Sequence, residues 1–142
     1  MSHMSRGQLG TIESWHRAVN DGSADLAGAF CTSDVEVGGP RGSGHGRQLL
    51  VDWVRQSGIR IQPVRWFCGP AGAVVEQDAR WVDPATGELG APVRLATAFG
   101  VTDRRISRVL RHPDTPAALA ALGLGPADEV TGRDPEQPIL SE

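Results

Sequence analysis

The sequence predicts an α+β domain, with helices laid on one face of a curved antiparallel sheet. Three observations carry this expectation. The chain has 142 residues, enough for one domain and too few for two comfortable ones. Helical periodicity is concentrated before Gly58 and returns only briefly after Thr115. Between Gly58 and Pro113, four extended segments follow one another through short turns, which makes antiparallel pairing almost obligatory.

The first helix is expected from Gln8 to Asn20, because Ile12, Trp15, His16 and Val19 recur at helical spacing. Ser5 and Gln8 fit a capping box at its start, and Asn20-Asp21-Gly22 supplies the stop. Ser23 is expected to cap a second, short helix with Leu26, Ala29 and Phe30 on its buried side. Asp34–Val37 alternates like a half-buried strand. Gly38–Gly46 holds five glycines and Pro40 and is expected to be a loop. A third helix is expected from Arg47 to Ser57, with Leu49, Leu50, Trp53 and Val54 inward and Gly58 as its left-handed stop.

The extended half begins at Ile59–Cys68, where Pro63 marks an edge or a bulge. Ala73–Val82, Pro92–Val101 and Arg105–His112 complete four long strands, joined by turns at 69–72, 83–88 and 102–104. Thr115, as a capping hydroxyl, and Pro116 start a short terminal helix that carries Leu119 and Leu122 and ends at Gly123. Ser2-His3-Met4 reads as a remnant of a cloning site, so residues 1–4 are set aside. The domain is placed at 5–125, with 126–142 as a loosely held acidic tail.

Composition narrows the function. The chain is 39% hydrophobic and 22% charged, ordinary for a globular protein. Its net charge of −3 offers no attraction for a polyphosphate backbone, so nucleic acid is not the expected partner. No apolar run reaches the ~18–20 residues that span a bilayer, and no charged-then-apolar leader stands at the N-terminus. No membrane partner and a cytoplasmic location are the expectations. Cys31 and Cys68 read as small buried residues, not as a disulfide or metal ligands. The four His show no ligand spacing, and the 38–46 glycines lack the Lys-Ser/Thr ending of a phosphate loop. Neither a metal nor a cofactor is implied.

The residues Trp15-His16-Arg17-Ala18-Val19-Asn20-Asp21-Gly22, Phe30 and Asp34–Pro40 resemble the nuclear transport factor 2-like superfamily, in particular its SnoaL-like branch. The helix bearing Trp53 and the segment Gly100–Ile106 continue the resemblance, which spans roughly residues 8–122. That branch includes polyketide cyclases, steroid isomerases and limonene-type epoxide hydrolases. The resemblance implies a cone-shaped sheet of about four long strands and a short one, covered by three helices, with a short C-terminal helix. It also implies a pocket inside the cone and, often, a dimer.

The catalytic residues of the branch do not carry over. The Tyr and two Asp of the steroid-isomerase pattern fall on Trp15, Gly39 and Thr97. The Arg-x-Asp and Asp of the epoxide-hydrolase pattern fall on Gln77, Ala79 and Arg111. A register slip of one would instead turn Asp78 and Arg80 inward. The apolar alternation of Val75, Gln77, Ala79 and Trp81 favours the first register, because burying Glu76, Asp78 and Arg80 together would be costly.

In that register Trp15, Trp53, Gln77, Trp81, Thr97, Phe99, Val109 and Arg111 face the interior as candidate ligand-binding residues. Either they line a pocket for a small hydrophobic or aromatic molecule, or they fill a core. Arg111 either fixes an anionic group of a ligand or pairs with Glu36, Asp114 or the tail acids. His16, Asp78 and Arg111 are the catalytic candidates for an isomerase, cyclase or hydrolase. The leading expectation is a small-molecule-binding protein without the standard catalytic set. An enzyme and a ligand-free dimeric interaction module are the alternatives, and the charged outer face of the sheet is expected to form a homodimer.

Overall fold

Hydrophobic side chains at helical spacing pull the first helix, α1 (Arg6–Asn20), onto the sheet: Leu9, Ile12, Trp15, His16 and Val19 form one buried stripe. The computed structural model describes residues 6–130, so Ser5 and residues 131–142 lie outside the described residues. Asn20 closes α1 by acting as a surrogate strand. Its side-chain N–H donates to the Ile61 carbonyl at 2.8 Å, and its oxygen accepts from the Ile61 N–H at 2.6 Å.

The second helix, α2 (Ala24–Ala29), differs from expectation in its cap and its face. Ser23 makes no side-chain cap, and Leu26 is 51% exposed. Ala24, Ala27 and Gly28 are buried instead, because α2 packs closely on the third helix: a Cβ at Gly28 would run into the Val51 side chain. Small residues permit that approach where Leu26 would not.

Residues 38–46 are not a loop. Strand β1 (Cys31–Gly39) turns at Pro40-Arg41 into β2 (Gly42–His45), and the two pair antiparallel from Glu36↔His45 to Gly39↔Gly42. Glycine hid this hairpin, because without side chains there is no alternation to read. The fold needs it at Gly38, where a Cβ would collide with Ser43 and the Gly42 carbonyl.

Helix α3 (Arg47–Ser57) ends at Gly58 in the left-handed region, φ 63°, as expected. Leu50, Val51 and Val54 are buried, whereas Leu49 is 42% exposed and Trp53 is half-buried. Leu49 looks into a cleft described below, and Trp53 packs against the core while bordering the same cleft.

The long strands follow as β3 (Ile59–Gly69), β4 (Gly72–Trp81), β5 (Val93–Thr102) and β6 (Arg105–His112). The β3–β4 register shifts at Pro63–Arg65, so the proline is accommodated at a bulge. Asp103 and Arg104 both have positive φ, 51° and 67°, which matches the twist of the tight β5–β6 hairpin. Strand order is β2-β1-β6-β5-β4-β3 in one curved, unclosed sheet. The sheet is mixed, not purely antiparallel, because β1 pairs with β6 in parallel, Val37↔Val109.

The two faces separate cleanly. Ala73, Val75, Ala79, Leu95, Phe99 and Val109 join α1–α3 in the main core. Val74, Ala96 and Ala98 point the other way and meet Ala118 and Leu119 of α4 (Thr115–Ala121). The cap of α4 is Asp114, which accepts from the Ala117 N–H at 2.9 Å. Thr115, expected in that role, instead donates its hydroxyl to Glu76 at 3.0 Å, tying α4 to the outer face. Of the segment set apart as a tail, Pro126–Val130 lies along β3: the Val130 N–H donates to the Trp66 carbonyl at 2.8 Å, and Arg65 bonds Glu129 at 2.9 and 3.1 Å.

Candidate ligand-binding site

Alternation along β4 turns Gln77 inward, and β5 sets Thr97 and α1 sets His16 beside it. All three are buried. The Thr97 hydroxyl donates to Gln77 Oε1 at 2.7 Å. Gln77 Nε2 donates to His16 Nε2 at 2.8 Å, so that ring nitrogen must carry the lone pair. The other ring nitrogen, Nδ1, then bears the proton and donates to the Ile12 carbonyl at 2.8 Å. Trp15, Trp66 and Phe99 enclose the imidazole at ring distances of 5.2, 5.8 and 5.5 Å. Burial pushes the His16 pKa down to about 4. Both nitrogens are occupied and the ring is neutral, so His16, one of the catalytic candidates, serves the interior as a packing and hydrogen-bonding group.

Asp78 points to the outer face, where it accepts from Arg94 Nε at 2.6 Å. Neighbouring Glu76 is buried there between Arg65 and Arg94, at 3.6 and 3.5 Å. Asp78 and Arg80 do border a cleft of about 640 Å³ near the 83–88 turn, but Arg94 already holds the Asp78 carboxylate.

Arg111 is different. It lies opposite Thr97 in the β5–β6 register and therefore on the inner face. Its guanidinium carbon sits 5.4 Å from the Trp53 ring centroid. Trp53 also stacks against Trp15, at 6.5 Å and 11° between planes. Trp15 is fully buried, whereas Trp53 and Arg111 are half-buried. Stacking engages the flat face of a guanidinium and leaves its in-plane N–H donors free. Among the described residues Arg111 has no hydrogen-bond acceptor and no carboxylate partner. Glu36, one expected partner, is held by Arg108 at 3.4 Å and Ser43 at 3.0 Å. Asp114, another, caps α4. Partial burial lowers the Arg111 pKa through desolvation.

Arg111 borders a cavity of about 410 Å³, within the range of small-molecule sites. Val37, Leu49, Trp53 and Val109 form its apolar walls. The bare backbone of Gly38, Gly39 and Gly42 forms one side, with Pro40 and Arg41 at the rim. Among the described residues, no Asp, Glu or His lines it. Of the eight expected ligand-binding residues, Trp53, Val109 and Arg111 border this cavity. Trp15, Gln77, Thr97 and Phe99 are fully buried in the core, and Trp81 packs against it half-buried. The Trp15 indole N–H is buried without an acceptor. Val37, Leu49 and Arg41 were missed, the last because it was placed in a loop and not on a hairpin tip. Among the described residues, no group of three His, Cys, Asp or Glu comes together to hold a metal ion, and no helix is long and apolar enough to cross a membrane.

No protein-family model matches the chain. No curated protein matches it in sequence either. Solved structures do. An NTF2-like protein of unknown function from Cytophaga hutchinsonii superposes with a TM-score of 0.62 at 12% identity, covering 78% of this chain and 91% of that one. The epoxide hydrolase/cyclase-like enzyme SalBIII, described in pyran ring formation in the polyether salinomycin, gives 0.64 at 15% identity, covering 86% and 93%. A protein with a ketosteroid isomerase-like fold from Catenulispora acidiphila, in complex with trimethylamine, gives 0.63 at 13% identity, covering 81% and 93%. At such identities the likeness is one of fold. The element order, the curved sheet and the three inner helices agree with it: the chain has the nuclear transport factor 2-like fold.

Proposed function

We propose that this protein binds a small, largely apolar molecule carrying an anionic group. Arg111 anchors the anion, and Trp53, Val37, Leu49 and Val109 bed the apolar part. One observation carries the reading: a half-buried guanidinium, stacked on an indole beside an apolar cavity, is without a carboxylate among the described residues. A charge withdrawn from water in this way calls for a counter-ion. SalBIII and the ketosteroid isomerase-like protein keep an enzyme in view, but a cyclase, isomerase or hydrolase needs a base beside its substrate. With no Asp, Glu or His among the described residues on the cavity wall, binding is the favoured reading.

A homodimer through the outer sheet face belongs to the same proposal. Arg65, Arg94, Glu76 and Asp78 place both signs of charge there, which a two-fold axis can match to one another. A monomer by light scattering at micromolar concentration would remove the dimer.

Thermal unfolding with aromatic and alkyl carboxylates tests the binding. A ligand at a hundred times its Kd stabilises by about 2.7 kcal/mol. Wild type is expected to rise in Tm with toluate or heptanoate, and Arg111→Met, which removes the charge and keeps the stacking volume, to lose the response. An equal response in both proteins would overturn the role of Arg111.

A further inference from the structure

The cavity that holds Arg111 has a second guanidinium at its rim. Arg41 sits at the tip of the β1–β2 hairpin and borders the same space. It makes no ion pair or hydrogen bond among the described residues. Among the described residues Arg41, exposed, and Arg111, half-buried, are the only charged side chains on the cavity wall, and both are cationic. Val37, Leu49, Trp53 and Val109 supply the apolar part of the same wall. The wall therefore combines two positive charges with an apolar surface.

The backbone between them is bare. Gly38 is glycine because the hairpin strands approach too closely for a Cβ. Gly39 has no such requirement. The three atoms nearest a Cβ built there all belong to Arg111, at an ordinary 3.6 Å from Nη2 and 3.9 Å from Cβ and Nε. A methyl group would thus fit at Gly39, and its absence leaves that side of the Arg111 guanidinium bare in the cavity that Arg41 also borders.

We infer that the ligand is a dianion with an apolar middle, a dicarboxylate in chemical class, whose inner carboxylate meets Arg111 and whose outer carboxylate meets Arg41. This rests on the binding reading above and adds its specificity. Arg111 decides whether an anion binds, because its charge is partly desolvated. Arg41, exposed and screened, decides how much a second carboxylate adds.

Matched pairs of probes test it: heptanoate against pimelate and toluate against terephthalate, by calorimetric titration of the full chain at low salt. Each dicarboxylate is expected to bind about fivefold more tightly than its monocarboxylate partner, the size of an exposed charge contact. Arg41→Ala is expected to erase that difference while leaving monocarboxylate affinity within about twofold. Arg41 is exposed, so the variant folds as wild type, and circular dichroism checks this. If both members of each pair bind equally to wild type through Arg111, the dianion inference fails and the binding reading survives. If dicarboxylates keep their advantage in Arg41→Ala, the assignment of Arg41 fails. If Arg111→Met alters none of these affinities, the binding reading fails and takes the inference with it.

Discussion

Gln77 donates its side-chain N–H to Nε2 of His16 across 2.8 Å of buried interior, joining the centre of the sheet to the first helix. With Thr97 and the Ile12 carbonyl at its ends, this is a chain of hydrogen bonds in which every role is fixed. A hydrogen-bonded polar chain is compatible with a filled core, and an unpaired buried polar group is costly. It explains why polar residues occupy an interior otherwise made of Trp, Phe, Ile and Val.

The neutrality of His16 sets a pH dependence. Its pKa is about 4 in the folded protein against 6.5 unfolded, so the unfolded chain binds the extra proton between those values. Stability from this residue is fully present above about pH 6.5, falls as pH drops toward 4, and changes no further below it. The total is about 3 kcal/mol. The His16 ring resonances followed by NMR should titrate near pH 4; titration near 6.5 would contradict its enclosure.

Removing one link strands the next. Thr97→Val keeps the shape but leaves Gln77 Oε1 without its donor, and is expected to cost about 1–3 kcal/mol. Urea unfolding measures it, with an unchanged m-value showing that the loss is one of native stability.

Gly39→Asp is expected to silence the cavity without unfolding the protein. The new carboxylate would start from a Cβ 3.6 Å from Arg111 Nη2 and supply the missing counter-ion from within. Carboxylate binding, read by Trp fluorescence, should fall at least tenfold, while Tm holds or rises. Gly39→Ala, which adds no charge, should keep most of the binding.

Asp78→Asn is expected to do little. Its ion pair with Arg94 lies on the outer surface, where such pairs contribute about 0–1 kcal/mol, and its carboxylate is remote from Arg111 in the sheet. Carboxylate affinity should be unchanged in the titration that detects Arg111→Met.

Elements with side-chain periodicity were legible in the sequence: the Ile12–Val19 stripe, the Gly58 stop, the β4 alternation that sends Gln77 in and Asp78 out, and the Pro63 bulge. The β1–β2 hairpin was not, because its glycines carry no pattern and its pairing rests on close backbone approach. That omission moved the site. Without the hairpin, Trp15, Gln77 and Thr97 stood as a pocket lining; with it, the space lies nearer the rim, against Leu49 and Trp53. Leu49 was assigned inward because helical spacing shows which residues are apolar, not whether a core or a cleft receives them. The α4 cap shifted by one residue for a local reason: Asp114 reaches the Ala117 N–H, which releases Thr115 for Glu76.

A crystal structure of the protein with toluate tests the central claim most directly. The account predicts the carboxylate within hydrogen-bond distance of the Arg111 guanidinium and the ring against Trp53, between Val37 and Val109. Arg111 bonded to a carboxylate of its own chain, with toluate elsewhere or absent, would contradict it.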